Sequence, residues 1–108
     1  MEKLDELLLK IDKFNKDRDW DKFHSPANLT KSISIEANEL LECFQWDENN
    51  YDIEAVKEEL ADVLLYSYQL AIALKLDPIE ICEKKMEKNN KKYPVEKAKG
   101  IATKYDKL

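Results

Sequence analysis

An all-α fold is the class this sequence predicts, and three observations carry it. Gly100 is the sole glycine and Pro26, Pro78 and Pro94 are the only prolines in 108 residues. The chain therefore has few residues suited to the tight turns of an all-β or doubly wound fold. Apolar residues recur at three- and four-residue spacing along most of the chain, the period of a helix with one buried face. Proline follows Ser25 and Asp77 directly, the order of an N-cap and a first helical position.

The elements follow in turn. Leu4, Leu7, Leu8, Ile11 and Phe14 form the stripe of a first helix, which fades at the polar stretch Asn15 to Asp19. Ser25-Pro26 opens a second, whose stripe of Leu29, Ile33, Ala37, Leu40, Leu41 and Phe44 extends it to about Trp46. Asp47 to Asp52 is a polar connector. Ile53, Val56, Leu60, Val63, Leu64, Leu70, Ala71 and Leu74 then define a long third helix whose middle is apolar on more than one side. A helix of that kind is covered all round, and a chain with four helices achieves this most simply against a second copy of itself. The architecture expected is a four-helix bundle completed by homo-oligomerisation.

Asp77-Pro78-Ile79-Glu80 reads as a capping-box variant that starts helix four, and Pro94 stops it near Tyr93. Residues 1–108 are read as one domain, with the basic stretch 95–108 as a C-terminal extension.

Composition narrows the functional classes. The net charge is −5, and the lysines of the last third alternate with Glu and Asp, so a nucleic-acid polymer is not an expected partner. Cys43 and Cys82 lack CxxC spacing and accompanying histidines, which suggests neither a zinc site nor a disulfide framework and predicts reduced, partly buried thiols. The amphipathic, acidic N-terminus lacks the features of a secretory signal. The apolar run from Val63 to Leu74 is interrupted by Tyr, Ser and Gln and falls short of the roughly 20 residues that span a bilayer. A soluble cytoplasmic protein without a membrane partner is expected.

Two pairs of carboxylates carry the chemistry. Glu36 and Glu39 stand three residues apart on helix two, as do Glu59 and Asp62 on helix three, so each pair projects from one helical face. At about 100° per residue, Glu36 and Glu39 flank the apolar stripe instead of pointing into bulk solvent. The short connector makes the two helices antiparallel neighbours. Each like-charge pair at about 4 Å would cost about 4 kcal/mol at an effective dielectric near 20, so the cluster requires a cation. All-oxygen ligands select a hard ion, Mg²⁺ or Mn²⁺ in its place, of the kind that bridges carboxylates to substrate phosphates. Acidic i, i+3 pairs are common on the surface of a chain that is 38% charged; the second pair on the next helix, beside an apolar face, is what singles these four out.

The sequence EANE at 36–39, nineteen residues between Glu39 and Glu59, and EELAD at 58–62 resemble the ExxE and ExxD motifs of the MazG-like all-α NTP pyrophosphohydrolases. Arg18 to His24, Phe44-Gln45-Trp46, Asp62 to Tyr66, and Lys85 through Asn89 to Lys92-Tyr93-Pro94 look like the dCTP pyrophosphatase branch, in order and over nearly the whole chain. The resemblance implies hydrolysis between the α- and β-phosphates of a (deoxy)nucleoside triphosphate, by water attacking the α-phosphorus, to give the monophosphate and pyrophosphate. It further implies that Glu36, Glu39, Glu59 and Asp62 are the Mg²⁺ ligands, with Glu36 and Glu39 the first candidates for orienting or deprotonating the water. The assembly it implies is a homodimer or homotetramer, and the role nucleotide-pool house-cleaning.

Among the matched positions, Trp20, Trp46 and Tyr66 have flat faces that can wall a nucleobase. Lys85, Asn89 and Lys92 form an i, i+4, i+7 stripe suited to a triphosphate, with the Tyr93 hydroxyl beside it. His24, in the loop ahead of helix two, joins the substrate-binding set. One position departs from the pattern: the branch carries a base-proximal histidine three residues before a helix-one Phe, where Ile11 precedes Phe14 here. Losing a polar partner relaxes preference for the base, so pyrimidine deoxynucleotides such as dCTP or a modified analogue are expected without commitment to one. The alternative function is a non-catalytic helical oligomerisation or interaction module, which leaves the acidic pairs unexplained. A carboxylate-bridged di-iron centre is excluded because it needs Glu-x-x-His motifs that are absent.

Overall fold

A computed structural model describes residues 2–108, and among them every element is helical. The chain forms two compact units, the first ending at Leu76 and the second running from Asp77 to Leu108.

The first unit holds three helices: α1 (Lys3–Asp17), α2 (Pro26–Glu42) and α3 (Ile53–Ala73). Helix α1 ends inside the polar stretch Asn15 to Asp19. It continues to Asp17, and Asn15 is itself buried. It closes in a Schellman turn, in which Trp20 N–H donates to Asn15 C=O at 2.9 Å and Asp19 N–H to Lys16 C=O at 3.1 Å. This turn requires a left-handed residue, and with no glycine available Asp19 takes it at φ 53°. Lys75 does the same after α3 at φ 57°, with Leu76 N–H donating to Ala71 C=O.

A short 3₁₀ turn at Asp21–Phe23 leads into α2, where Ser25 Oγ accepts from Asn28 N–H at 3.1 Å and Pro26 occupies the first turn. The expected end of this helix near Trp46 is too late. The α-helix stops at Glu42, and bonds from Cys43, Phe44 and Gln45 to carbonyls three residues back tighten it into a turn. Phe44 then packs on Tyr51 across the connector, with ring centroids 4.7 Å apart. Asp52 caps α3 by accepting from Glu54 N–H at 3.0 Å.

Both α1 and α2 pack on α3. Leu29 shares a cavity wall with Gln69, Ile72 and Ala73, Glu36 lies beside Glu59 and Asp62, and Phe44 meets Tyr51. Advancing along α2 therefore means retreating along α3, the antiparallel arrangement expected. The core is small: Leu29 is 1% exposed, and Ile11 and Ala71 are the other buried apolar residues among those described.

The second unit begins with α4 (Pro78–Lys92), where Asp77 Oδ1 accepts from Ile79 N–H at 2.9 Å and Glu80 N–H at 3.4 Å. Half of the capping box is formed, because Glu80 turns to Lys84 Nζ at 2.8 Å. The extension is not featureless: a single turn α5 (Val95–Ala98) and a 3₁₀ turn at Tyr105–Lys107 follow. Both cysteines are free; Cys43 is half-buried as expected, whereas Cys82 is exposed. No helix among the described residues is long and apolar enough to cross a membrane.

Candidate functional site

The antiparallel pairing of α2 and α3 turns two sequence-local pairs into one cluster. Glu36, Glu59 and Asp62, each half-buried, offer carboxylate oxygens that all lie within 4.8 Å of one another. Glu36 Oε2 and Glu59 Oε2 are buried and have no hydrogen-bond partner. Orphaned anionic oxygens are costly away from water, and their surroundings respond. Burial pushes the Glu36 carboxyl up to about 7, helped by hydrogen bonding to Glu39 and by the charges of Glu39, Asp62 and Glu59. Glu59 is raised in the same way, by burial first and then by Glu39.

Glu39 thus borders the cluster electrostatically yet stands outside the three-carboxylate group, on the exposed side of α2. The donor set is entirely oxygen and anionic, with two oxygens lacking partners, so it fits a hard divalent cation.

Beside the cluster lies a cavity of about 300 Å³ whose wall includes Asp62, within the size range of small-molecule sites. Ile11, Phe14, Trp20, Leu65 and Tyr66 make it largely apolar, and Lys10, Asn15, His24 and Gln69 contribute polar groups. Trp20 is carried there by the Schellman turn and packs edge-on against Phe14 at 5.6 Å. Arg18, one turn after Phe14, covers that ring 3.7 Å from its centroid and donates to Phe14 C=O. The position where the resemblance leads one to expect histidine is Ile11, which is 7% exposed and part of the apolar wall.

Of the residues named from sequence, the structure brings Glu36, Glu59 and Asp62 together and gathers Trp20, His24 and Tyr66 around the adjoining cavity. Trp46 is not brought to it: it lies on the connector with 89% of its surface exposed. Lys85, Asn89, Lys92 and Tyr93 belong to the second unit, where the Lys92 ammonium sits 4.8 Å over the Tyr105 ring and Tyr93 packs edge-on against Tyr105. Sequence reasoning missed Asn15 and Gln69, whose side chains bond to each other at 3.0 Å in the cavity wall. The signal was present, since Asn15 continues the α1 stripe four residues after Ile11 and Gln69 interrupts the apolar run of α3.

Several known proteins are similar to this chain over most of its length. The mouse (Mus musculus) dCTP pyrophosphatase 1 is 36% identical over 104 residues, covering 88% of this chain and 61% of the relative. The human (Homo sapiens) dCTP pyrophosphatase 1 is 35% identical over 105 residues with the same coverage. The chain thus spans about three-fifths of the length of these curated relatives. The crystal structure of a pyrophosphatase from Archaeoglobus fulgidus superposes with a TM-score of 0.78 at 42% identity, covering 87% of this chain and 94% of that one. Residues 31–108, which include all four carboxylates, match the MazG-like family, and it is to the MazG-like family that this chain belongs.

Proposed function

We propose that the protein is a nucleoside triphosphate pyrophosphohydrolase that converts a pyrimidine deoxynucleoside triphosphate, such as dCTP or a modified analogue, to the monophosphate and pyrophosphate. The observation that carries this reading is the pair of orphaned carboxylate oxygens on Glu36 and Glu59, set with Asp62 beside an aromatic-walled cavity. The names of the relatives support the same chemistry.

Glu36, Glu59 and Asp62 would hold Mg²⁺, or Mn²⁺ in its place, with Glu39 completing the set at its edge. When bound, Mg²⁺ supplies positive charge against the phosphate oxygens and makes water more acidic. Glu39 and Glu36 are the carboxylates that take the proton from the attacking water; Glu39 is the better placed for it, being outside the three-oxygen group and reachable from solvent. Asp62 lies in both the cluster and the cavity wall, so the α-phosphate end of a nucleotide whose base enters the cavity meets the carboxylates. Trp20 and Tyr66 offer faces for the base and His24 a polar group at the same wall. Trp46 is assigned to the base, and Lys85, Asn89, Lys92 and Tyr93 to the triphosphate, on the strength of the family pattern.

The assembly is proposed to be a homodimer or homotetramer. Large apolar side chains left uncovered in the single chain support this, Leu41 at 65% exposure and Leu64 at 44% among them. The role that fits such an activity is nucleotide-pool house-cleaning in the cytoplasm.

The decisive measurement is pyrophosphate release from a panel of dNTPs with and without Mg²⁺, for the wild type and for Glu59→Gln and Glu39→Gln. The variants are expected to fold and to lose about a hundredfold or more in kcat/KM. Full activity in both, or an inert wild type, would refute the enzymatic reading; the inert result would favour a helical interaction module.

A further inference from the structure

The activity proposed above leaves two amides in the cavity wall without a role. Asn15 on α1 is 6% exposed, and its Nδ2 donates to Gln69 Oε1 on α3 at 3.0 Å. A carboxamide has more donors and acceptors than one bond uses. With that bond made, Asn15 Oδ1 and Gln69 Nε2 remain without partners. Neither is among the unpartnered side-chain atoms shut away from solvent, which are Glu36 Oε2 and Glu59 Oε2. The pair therefore keeps one acceptor and one donor free, and both residues line the cavity walled by Ile11, Phe14, Trp20, Tyr66 and Asp62 as well as a second one lined by Lys16, Leu29 and Ile72.

We propose that the Asn15–Gln69 amide pair reads the hydrogen-bonding edge of the base and accepts amino- and keto-pyrimidines alike, an inference that rests on the nucleotide reading of the site. A cytosine-type edge offers an acceptor at N3 next to a donor at the 4-amino group. A uracil-type edge offers the reverse, a donor at N3 next to an acceptor at O4. Turning both amides over about their last side-chain bonds keeps the bond between them, now with Gln69 Nε2 donating to Asn15 Oδ1, and reverses the order presented to the ligand. The terminal torsions of Asn and Gln are broad and nearly two-fold, and no second hydrogen bond anchors either amide. Strong discrimination between bases requires that the wrong one leave a buried polar group unpaired. An amide pair that turns over as a unit removes that penalty. Ile11 on the same wall is apolar and adds no polar constraint.

The test measures binding of dCMP and dUMP to the metal-free protein by calorimetry, alongside Mg²⁺-dependent hydrolysis of dCTP and dUTP. In the wild type the two dissociation constants are expected to agree within about fivefold. In Gln69→Glu, the carboxylate accepts from Asn15 Nδ2 and the pair presents acceptors only, so each base leaves its acceptor unpaired and both dissociation constants are expected to rise about tenfold or more. Melting curves establish that the variant is folded, and the wild-type ratio stands whether or not it is. A wild-type preference beyond about a hundredfold, binding of neither monophosphate, or unchanged binding of both by folded Gln69→Glu would overturn the inference. Matched binding of the monophosphates with no hydrolysis of any triphosphate would support the amide reading while removing the pyrophosphohydrolase reading.

Discussion

Glutamine in place of Glu36 is expected to stabilise the metal-free protein above neutral pH and to abolish the stabilisation that Mg²⁺ brings. The folded protein holds the Glu36 proton up to about pH 7, against 4.5 for an ordinary glutamate, because of burial, Glu39 and the facing carboxylates. Folding therefore takes up a proton between those values. The associated stability is fully present below about pH 4.5 and is lost as the pH rises through about 7. The interval corresponds to at most about 3 kcal/mol, which solvent screening at a half-buried side chain reduces to about 1 kcal/mol. Glu36→Gln is neutral throughout and escapes the loss. For a unit of this size that is a rise in Tm of roughly 4–8 °C at pH 8 in chelator, shrinking toward zero at pH 4. With Mg²⁺ the order is expected to reverse, since under the proposed function the wild type gains binding energy that the variant lacks. Circular dichroism melts at pH 4, 6 and 8, with chelator and with Mg²⁺, read both signs. A variant that melts below the wild type at pH 8 in chelator, or a gap that persists at pH 4, would refute the account of the cluster.

Three further outcomes follow from the packing. Leu29→Ala, at the most buried apolar side chain, should cost about 2–5 kcal/mol, enough to unfold much of the first unit, as a melt or urea titration will show. Lys75→Gly relieves a left-handed backbone at φ 57° and is expected to raise stability by about 0.5–1 kcal/mol, whereas Ser25→Ala, which deletes the α2 cap, should lower it by about 1 kcal/mol; urea midpoints separate the two signs. Trp46→Ala should leave the chain's stability within about 0.5 kcal/mol, because an 89% exposed side chain has little packing to lose, and a large drop in Tm would contradict this placement.

Local chemistry was readable at once. Ser25-Pro26 and Asp77-Pro78 mark helix starts because a cap is made by a side chain and backbone N–H groups two or three residues away. The end of α2 was less so. Its apolar stripe continues to Phe44, but the helix stops at Glu42 and Phe44 is drawn to Tyr51, a partner on the far side of the connector. The close of α1 was legible only as a polar stretch, because a Schellman turn ordinarily signals itself with glycine and here Asp19 takes the left-handed position.

At the site, sequence alone determined which carboxylates share a helical face, since the i, i+3 spacing of Glu36 with Glu39 and of Glu59 with Asp62 is a property of one helix. Only the tertiary structure decided how α2 turns toward α3, and that rotation buries an oxygen of Glu36 and one of Glu59 while leaving Glu39 at the exposed edge. The same holds for the cavity. Trp20 and Tyr66 stood out as aromatics, but Asn15 and Gln69 acquire meaning from a bond across 54 residues. No periodicity within a single helix encodes such a bond; it exists because α1 and α3 pack together and an unpaired buried amide would be costly.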